Sequence, residues 1–190
     1  MKRPFPTHPS TILGGDKIYV RNVGDFNGDG RDELLVTQPF YDTTNPQDAD
    51  IAKLIFPNGN RNEVYAGNSS DVVDLFIPLS ITASTGIFGH VAAAGDFDGN
   101  GERDLAVGVG SHTSLTSNLA VDGALIIYRN GNFTNFDVAA DYYESGSIVG
   151  GVVSEFVSTL KSGDFNGDGR DDLAVGMPEV HGGTAVILHD

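Results

Sequence analysis

Three segments of the sequence carry oxygen-bearing side chains at four odd-numbered positions, the first, third, fifth and ninth. Residues 24–36 read GDFNGDGRDELLV, residues 95–107 read GDFDGNGERDLAV, and residues 163–175 read GDFNGDGRDDLAV. Counted from the first Asp of each segment, position 1 is Asp25, Asp96 or Asp164, position 3 is Asn27, Asp98 or Asn166, position 5 is Asp29, Asn100 or Asp168, and position 9 is Glu33, Asp104 or Asp172. Carboxylate and amide oxygens at this spacing suit a hard cation, and Ca²⁺ accepts about six to eight oxygen ligands. We therefore expect about three Ca²⁺ ions, one per loop.

The remaining loop positions fit the same interpretation. Glycine at positions 4 and 6 lets the backbone turn sharply with positive φ. Position 7 varies in charge between the copies, so we expect it to bind the ion through its backbone carbonyl alone. The residues at this position are Arg31, Glu102 and Arg170. A Phe at position 2, which we expect to point away from the ion into apolar packing, is Phe26, Phe97 or Phe165.

Other metals and other loop types fit less well. An EF-hand needs a bidentate Glu at position 12, but this position holds Val36, Val107 or Val175. Zinc prefers Cys and His, which the loops lack, and magnesium demands stricter octahedral geometry than calcium. Plain solvated turns rich in Asp, Asn and Gly are the alternative, although three copies with oxygens at all four positions favour a metal. In the first loop, Asp32 is an alternative ligand to Glu33.

The segments around each loop predict strand, loop and strand. Short runs rich in β-branched or small residues precede the loops at 18–20, 91–94 and 157–160. Apolar residues alternate after each loop with the two-residue period of a strand, and no amphipathic helix pattern is evident. Third strands are predicted at 52–56, 123–128 and 183–188, and fourth strands at 72–77 and 133–138. The loops recur about 70 residues apart, and four short strands per repeat are typical of a β-propeller blade.

The predicted fold is therefore all-β, with three propeller-type blades of about four antiparallel strands in a single domain over residues 1–190. We place the blades roughly at 10–80, 81–148 and 149–190. A strand around residues 10–13, or another chain, could complete the last blade. Three blades make a partial propeller, or one that is completed by oligomerisation, because even the smallest common propellers have about four blades.

Composition excludes several classes of partner. The formal net charge is −15, from 26 acidic and 11 basic residues. Such a surface repels nucleic-acid phosphates and anionic lipids, so we expect neither nucleic-acid binding nor membrane insertion. No apolar stretch approaches the roughly 18 residues of a membrane span, and no signal peptide is visible after the basic start. There is no cysteine, the five histidines are dispersed, and nucleotide-binding or nucleophile motifs are absent. We expect no catalytic residues and no enzyme.

The three segments resemble the FG-GAP repeats of integrin α-subunit propellers. Phe88-Gly89 matches the Phe-Gly of the name, and Gly176-Met177-Pro178 stands where the family has Gly-Ala-Pro. The loops match the family's calcium motif, with Asn100 and Glu33 as departures. The resemblance implies a calcium-stabilised, usually extracellular propeller, with the calcium between the first two strands of each blade. It also implies a blade face that serves in adhesion or in the recognition of a ligand or glycan.

Three functions remain open at this point. The first is an extracellular or cell-surface adhesion module that binds a protein or glycan ligand, for which the polar stretches 41–48 and 111–118 are candidate contacts. The second is a self-assembling structural subunit, joined through open blade edges into a ring or fibre. Apolar strand sequences near both ends, around residues 12–20 and 185–188, favour such self-association. The third is an accessory domain of a larger secreted enzyme.

Overall fold

The fold is known from a computed structural model that describes residues 18–38, 51–55, 72–74, 88–110, 112–113, 120–121, 123–129, 140–144, 157–177 and 183–189. All regular structure in these ranges is β-strand. The strands are β1 (Tyr19–Gly24), β2 (Glu33–Gln38), β3 (Ile51–Ile55), β4 (Val72–Asp74), β5 (Phe88–Gly95), β6 (Asp104–Val109), β7 (His112–Thr113), β8 (Ala120–Val121), β9 (Ala124–Tyr128), β10 (Ala140–Glu144), β11 (Thr159–Gly163), β12 (Asp172–Met177) and β13 (Thr184–Leu188). Within the same ranges, no helix is long and apolar enough to cross a membrane.

The strands form three antiparallel meanders, one for each predicted repeat. The first sheet has the order β1-β2-β3-β4, the second β5-β6-β9-β10, and the third β11-β12-β13, while β7 and β8 form a small separate ribbon. The all-β prediction and the strand–loop–strand prediction are confirmed. We call the three sheets blade 1, blade 2 and blade 3.

Two details differ from the sequence-based strand assignment. The fourth strand of blade 2 lies at Ala140–Glu144, whereas we predicted it at 133–138, which is outside the described residues. The strand before the third loop begins at Thr159 rather than at residue 157. The predicted blade boundaries and the predicted strand around residues 10–13 also fall outside the described residues, so both stay predictions.

Blade 2 is covered on both faces, and its sequence reflects this position. All six residues of β6 and all five of β9 are buried. Strands covered on both faces read as continuous apolar runs rather than as an alternation. In β12 of blade 3, by contrast, Leu173, Val175 and Met177 are buried while Ala174 and Gly176 are only partly so. The alternation in β12 shows that one face of blade 3 packs against blade 2 and the other does not.

Two apolar clusters join the blades. Leu35 and Leu54 of blade 1 pack with Phe88, Leu105 and Tyr128 of blade 2 in the first cluster. The second cluster contains residues of blades 2 and 3, among them Ala106, Ile127, Leu160, Leu173 and Val175. Each large apolar side chain that is fully buried in this way stabilises the fold by about 1.5–3 kcal/mol relative to exposure.

A β-bulge in β1 changes which side chains face blade 2. The register with β2 shifts between Asn22 and Gly24, so the extra residue Val23 turns into the first cluster. A bulge reverses the alternation of the residues that precede it. Arg21 therefore points towards blade 2, where its guanidinium donates hydrogen bonds to the carbonyl of His90, with 3.1 Å from Nε.

Hydrogen bonds to backbone carbonyls supplement the apolar contact at the second junction. The His90 Nε2 atom lies 2.9 Å from the carbonyl oxygen of Val157, and the Ser162 hydroxyl donates to the carbonyl of Ala94 at 2.6 Å. Val157 has φ 59, which is rare for a β-branched residue. The conformation is held by complete burial of Val157 in the second cluster.

The first junction requires glycine at the position that Val157 occupies in blade 3. Gly89 has φ +73, and the Thr37 hydroxyl donates to its carbonyl at 3.1 Å. A Cβ on Gly89 would lie 2.3 Å from Cγ2 of Thr37. Gly108 stands at the repeat position of Thr37, and a Cβ there would lie 2.9 Å from Cγ1 of Val157. Each junction thus pairs one large residue with one glycine. At the first junction the large residue comes from the earlier blade, and at the second it comes from the later blade.

We expect Gly89→Ala to destabilise the chain more than Gly28→Ala does. Both glycines have positive φ, which disfavours alanine by about 1–2 kcal/mol. Nothing lies within 4 Å of a Cβ at Gly28, whereas at Gly89 the clash with buried Thr37 adds an overpacking cost of about 1–3 kcal/mol. Urea denaturation in EDTA measures both losses without a metal contribution.

The matched rescue is Thr37→Ser in the Gly89→Ala background. Serine lacks the Cγ2 atom but keeps the hydroxyl that bonds to residue 89, so part of the lost stability should return. Equal losses for the two glycine variants would show that the close approach of Thr37 carries no energetic weight.

Candidate metal centres

Each acidic loop connects the first two strands of its blade. Residues 25–32 lie between β1 and β2, residues 96–103 between β5 and β6, and residues 164–171 between β11 and β12. In the first loop, the Asp25 carboxylate accepts hydrogen bonds from the N–H groups of Asp29 at 3.0 Å and Gly30 at 2.8 Å. The corresponding bonds recur on Asp96, from Asn100 and Gly101, and on Asp164, from Asp168 and Gly169. The position-1 carboxylate therefore organises the turn in all three copies.

The side chains at positions 3 and 5 also turn inward over the backbone. Asn27 accepts from the N–H of Asp29 at 2.9 Å, and Asp29 accepts from the N–H of Arg31 at 2.9 Å. The other loops repeat these contacts through Asp98, Asn100, Asn166 and Asp168. In the third loop, hydrogen bonds from the Arg170 N–H and the Asn166 amide lower the pKa of Asp168. Local hydrogen bonds of this kind preform the loop with its oxygens concentrated on one side.

The position-9 carboxylates begin the second strands and are buried. One oxygen of each accepts the N–H of the position-2 Phe: Glu33 from Phe26 at 2.5 Å, Asp104 from Phe97 at 3.0 Å, and Asp172 from Phe165 at 2.8 Å. The other oxygen of Glu33, Oε1, is buried and has no hydrogen-bond partner among the described residues. An unpartnered buried carboxylate oxygen is costly, and a bound cation would satisfy it. The residues of the first loop therefore fit a metal ion.

Asp32, the alternative ligand in the first loop, lies elsewhere. Its carboxylate is exposed and accepts a hydrogen bond from the Asn22 amide at 2.7 Å. Glu33 instead holds the buried place that Asp104 and Asp172 hold in their loops. The geometry therefore favours Glu33 over Asp32 as the position-9 ligand.

The second loop brings three carboxylates together. One oxygen each from Asp96, Asp98 and Asp104 lies within 4.8 Å of the others. Three negative charges at this separation repel one another, and the buried Asp104 has little solvent to screen it. Arg129 Nη1 lies 4.0 Å from Asp98 Oδ2, at the rim of the group. Carboxylate oxygens held this close, without sulfur or imidazole, are the ligand type that hard divalent cations prefer.

The first and third loops show no such trio of acidic, His or Cys groups within the described part of the chain. Each of these loops also has three carboxylates at its ligand positions, but they stand at positions 1, 5 and 9, whereas those of the second loop stand at positions 1, 3 and 9. In the third loop, N–H groups lie against the carboxylates: the Asn166 amide is 2.8 Å from Asp168, and His189 Nδ1 is 2.9 Å from Asp172 Oδ1. The loops thus differ in where their carboxylates stand and in which N–H groups lie beside them, although the number of carboxylates at the ligand positions is the same.

His189 is a residue that sequence reasoning missed, because it was grouped with the dispersed histidines. It directly follows Leu188, which pairs with Leu173, just as Arg129 follows Tyr128, which pairs with Leu105. A basic group after the third strand therefore faces the loop in both blade 2 and blade 3. This shared position after the strand was the signal available in the sequence.

Positions 2 and 7 differ between the loops. Phe97 is buried in the second cluster, Phe26 packs against the first, and Phe165 is half-exposed because no neighbouring blade covers it among the described residues. The position-7 side chains are exposed in all three loops. Arg170 lies along the second loop, where a Cβ on Gly99 would be 2.8 Å from its Nε atom. The predicted role of the position-7 carbonyls stays a prediction.

Asp171 joins the second and third loops directly. Its N–H donates to the carbonyl of Asp96 at 2.9 Å, and its carboxylate accepts the N–H of Asp96 at 3.0 Å. The two bonds fix the backbone of a candidate metal ligand in blade 2 from the loop of blade 3. A small open cavity of about 120 Å³ lies beside this contact and is lined by Phe97, Ile127, Arg129, Asp171, Leu173, Leu188 and His189.

Successive antiparallel sheets, each with an acidic loop between its first two strands, define a protein built from β-propeller blades. The chain belongs to the FG-GAP repeat family, whose sequence profile matches residues 22–53, 88–128 and 156–188. The recognition of this family from the sequence is confirmed.

The chain is also similar to integrin α proteins. It is 29% identical to integrin alpha pat-2 of Caenorhabditis elegans over 178 residues, 87% of this chain and 13% of that protein. It is 31% identical to integrin alpha-PS3 of Drosophila melanogaster over 102 residues, 53% of this chain and 8% of that protein. Integrin alpha-PS2 of Drosophila melanogaster is 23% identical over 179 residues, 92% of this chain and 11% of that protein. The chain therefore spans only a small part of these relatives.

We expect Asp171→Ala to destabilise the junction of blades 2 and 3 by about 1–3 kcal/mol, because the Asp96 N–H loses a charged partner. The matched control is Asp32→Ala, at the same loop position, which removes an exposed bond to Asn22 within blade 1. Urea denaturation in EDTA, at a concentration where the chain is monomeric, compares the two losses. Equal losses would mean that the contact between the loops adds no stability.

Proposed function

We propose that this chain is a calcium-binding, extracellular recognition module in which each blade loop holds one structural Ca²⁺. The proposal rests above all on the buried and unpartnered Oε1 atom of Glu33, and the convergence of Asp96, Asp98 and Asp104 supports it. The side chains that would hold the three ions are Asp25, Asn27, Asp29 and Glu33, then Asp96, Asp98, Asn100 and Asp104, then Asp164, Asn166, Asp168 and Asp172. Backbone carbonyls of Arg31, Glu102 and Arg170 would complete the sites.

A bound Ca²⁺ would supply the positive charge that offsets carboxylate repulsion within each loop. The loop residues do the rest: their hydrogen bonds hold the oxygens in place, and the position-9 carboxylate ties the loop to the buried start of the second strand. A metal in this place has a structural role, since it fixes the connection between two strands that pack in the blade junctions.

Removal of calcium should lower the melting temperature. Extracellular calcium sites commonly have dissociation constants of about 10⁻⁴–10⁻³ M, so millimolar calcium would add on the order of 1 kcal/mol per site. Three such sites correspond to a shift of several degrees for a chain of this size. Thermal unfolding followed by circular dichroism, in calcium and in EDTA, measures the shift. Identical melting curves would identify the loops as plain turns.

Asp98→Asn separates a metal site from a solvated turn by the sign of its effect. Without calcium the variant should be as stable as the parent or more so, because one of three close carboxylates loses its charge. With calcium it should be less stable, because the ion loses a charged ligand. Glu102→Gln is the matched control: it removes one charge from the same loop at an exposed position-7 side chain, so its effect in calcium should be much smaller.

For the ligand, we propose a protein or glycan outside the cell or at its surface. The relatives are integrin α proteins, and the chain shares with them the repeat that forms its blades. The cavity at the junction of blades 2 and 3, about 120 Å³, is well below the roughly 300–1,000 Å³ of pockets that enclose small molecules. It is large enough for one side chain or a few atoms of a larger ligand, between apolar walls and the basic Arg129 and His189. This size fits contact with part of a macromolecule.

Ligand binding should require calcium if the loops position the recognition surface. The experiment presents the pure chain to arrayed extracellular-matrix proteins and glycans, in calcium and in EDTA. We expect binding that EDTA abolishes and that Leu188→Arg, which fills the cavity, weakens. Because Leu188 packs against the second cluster, binding is compared at a temperature where circular dichroism shows both chains to be folded. Absence of any ligand under both conditions would contradict the recognition function.

Self-assembly is a second candidate function, favoured by a specific observation. The large apolar side chains that are exposed in the described part of the chain are Ile18, Val20, Phe165 and Ile187. Ile18 and Val20 lie at the start of blade 1, Ile187 lies in β13, and Phe165 is the position-2 residue of the third loop. They lie on the outer faces of blades 1 and 3, where no further blade packs among the described residues.

A further inference from the structure

The two outer faces can be compared with the internal junctions by means of strand register. We define the leading face as the outer face of blade 1, with Ile18, Val20, Asn22 and Asp32. We define the trailing face as the outer face of blade 3, with Lys161, Phe165, Ala185 and Ile187. Because the blades are repeats, each residue of these faces has a counterpart in a blade whose corresponding face is covered.

The trailing face corresponds to the face of blade 2 that is covered by blade 3. Ile187 lies opposite Ala174 as Ile127 lies opposite Ala106. Ile127 is 5% exposed and Ile187 45%. The position-2 residues behave in the same way, since Phe97 is 5% exposed and Phe165 50%. The same residue types are buried where a blade follows and half-exposed where none does.

The leading face corresponds to the face of blade 3 that packs on blade 2. Val20 lies opposite Val36 as Leu160 lies opposite Val175. Leu160 is 4% exposed in the second cluster, whereas Val20 is 52% exposed. The bulge at Val23 creates this correspondence, because it turns Val20 outward to the place that Leu160 holds in blade 3.

The polar groups of the leading face correspond as well. Asn22 lies opposite Leu34 as Ser162 lies opposite Leu173, and Ser162 donates to a carbonyl of the preceding blade. Asp32 stands at loop position 8, where Asp171 accepts an N–H from the preceding blade. In the free chain, Asn22 and Asp32 bond to each other. The Asn22 amide can donate to a backbone carbonyl of another blade, and the Asp32 carboxylate can accept from a backbone N–H there.

The junction of blades 1 and 2 uses different groups. Position 8 of the second acidic loop, in blade 2, is Arg103, which lies close to Gly24 of blade 1. Arg21 and Thr37 of blade 1 donate hydrogen bonds to backbone carbonyls of blade 2. The leading face therefore resembles the inner face of blade 3 and not the inner face of blade 2. Together, the leading and trailing faces contain both halves of the junction between blades 2 and 3.

We propose that the trailing face of one chain binds the leading face of a second copy, head to tail, and reproduces the junction of blades 2 and 3. This inference rests on the self-assembly candidate above and not on the calcium sites. Phe165 and Ile187 would pack against Val20, Leu34 and Val36 of the second copy. Because the two faces differ, the interface is heterologous, so copies close into a ring or extend as a chain of blades.

Three strand positions distinguish the trailing face from its counterpart in blade 2. At one of them Thr159 replaces Val91 with little change in size. The other two change the size of the side chain. Lys161 stands at the position of Ala93, and Ala185 at the position of Leu125. The first is larger and the second smaller, so the total side-chain volume changes little. A lysine stem can also cover apolar surface while its ammonium reaches solvent or an acidic neighbour. The trailing face thus keeps the size of the face on blade 2.

The experiment uses one disabling charge on each face. Val20→Asp disables the leading face and Ile187→Asp the trailing face, because an unpaired carboxylate is costly to bury. Sedimentation velocity at tens of micromolar should show assembly of the parent chain, and each variant alone should be a monomer. An equimolar mixture of the two variants should form a dimer with one chain of each kind and nothing larger, since only one complementary pair of faces is intact.

Controls separate assembly from folding and from calcium binding. Both substitutions are at exposed positions, so circular dichroism should remain as in the parent. Melting in calcium should match the parent at a dilution where the parent is monomeric, because assembly itself stabilises the folded chain. Glu102→Gln, on neither face, should assemble as the parent does. A parent chain that is monomeric at these concentrations, single variants that still assemble, or a mixture that stays monomeric would each overturn the proposal. A chain that assembles but shows no effect of EDTA would overturn only the calcium function.

Discussion

Every blade has two apolar faces, and a blade by itself can bury neither of them. Blade 2 shows the consequence most clearly, since β6 and β9 are buried along their whole length between two neighbours. The stability of the chain therefore comes from face-to-face packing of successive sheets, and each blade depends on the next. The same constraint explains the leading face of blade 1 and the trailing face of blade 3. Their exposed side chains stand at positions that are buried where another blade packs.

The acidic loops share residues with the packed strands, so their structure depends on the contact between the blades. Glu33, Asp104 and Asp172 are at once the position-9 oxygens of the loops and the buried first residues of the strands β2, β6 and β12. The position-2 Phe reaches from the loop into the adjacent junction where a neighbour exists, as Phe97 does. Asp171 then connects one loop to the next. A change of charge in a loop should therefore also change the stability of the contact between the blades.

The sequence was informative where the physics is local. Oxygens at fixed spacing, glycines between them and alternating apolar residues after them depend on a dozen consecutive residues, and the loops and their flanking strands follow directly. The bulge at Val23 was not predictable, because it is decided by packing between blades: Val23 fills the first cluster and Arg21 reaches His90. His189 at Asp172, and Val157 at φ 59, likewise depend on contacts far apart in the chain. The alternation in β1 predicts a strand but not which of its faces meets blade 2.

The junctions also explain why three copies of one repeat are not interchangeable. Thr37 and Gly89 meet at the first junction, and Gly108 and Val157 at the second, so the large and small partners are reversed. A guanidinium from Arg21 bonds to blade 2 at the first junction, while a hydroxyl from Ser162 and a carboxylate from Asp171 do so at the second. A blade placed in the wrong order would meet a clash or leave buried polar groups unpaired, at a cost of about 1–3 kcal/mol for each such group. The order of the blades is thus encoded in the few positions where the repeats differ, while the shared positions encode the blade itself.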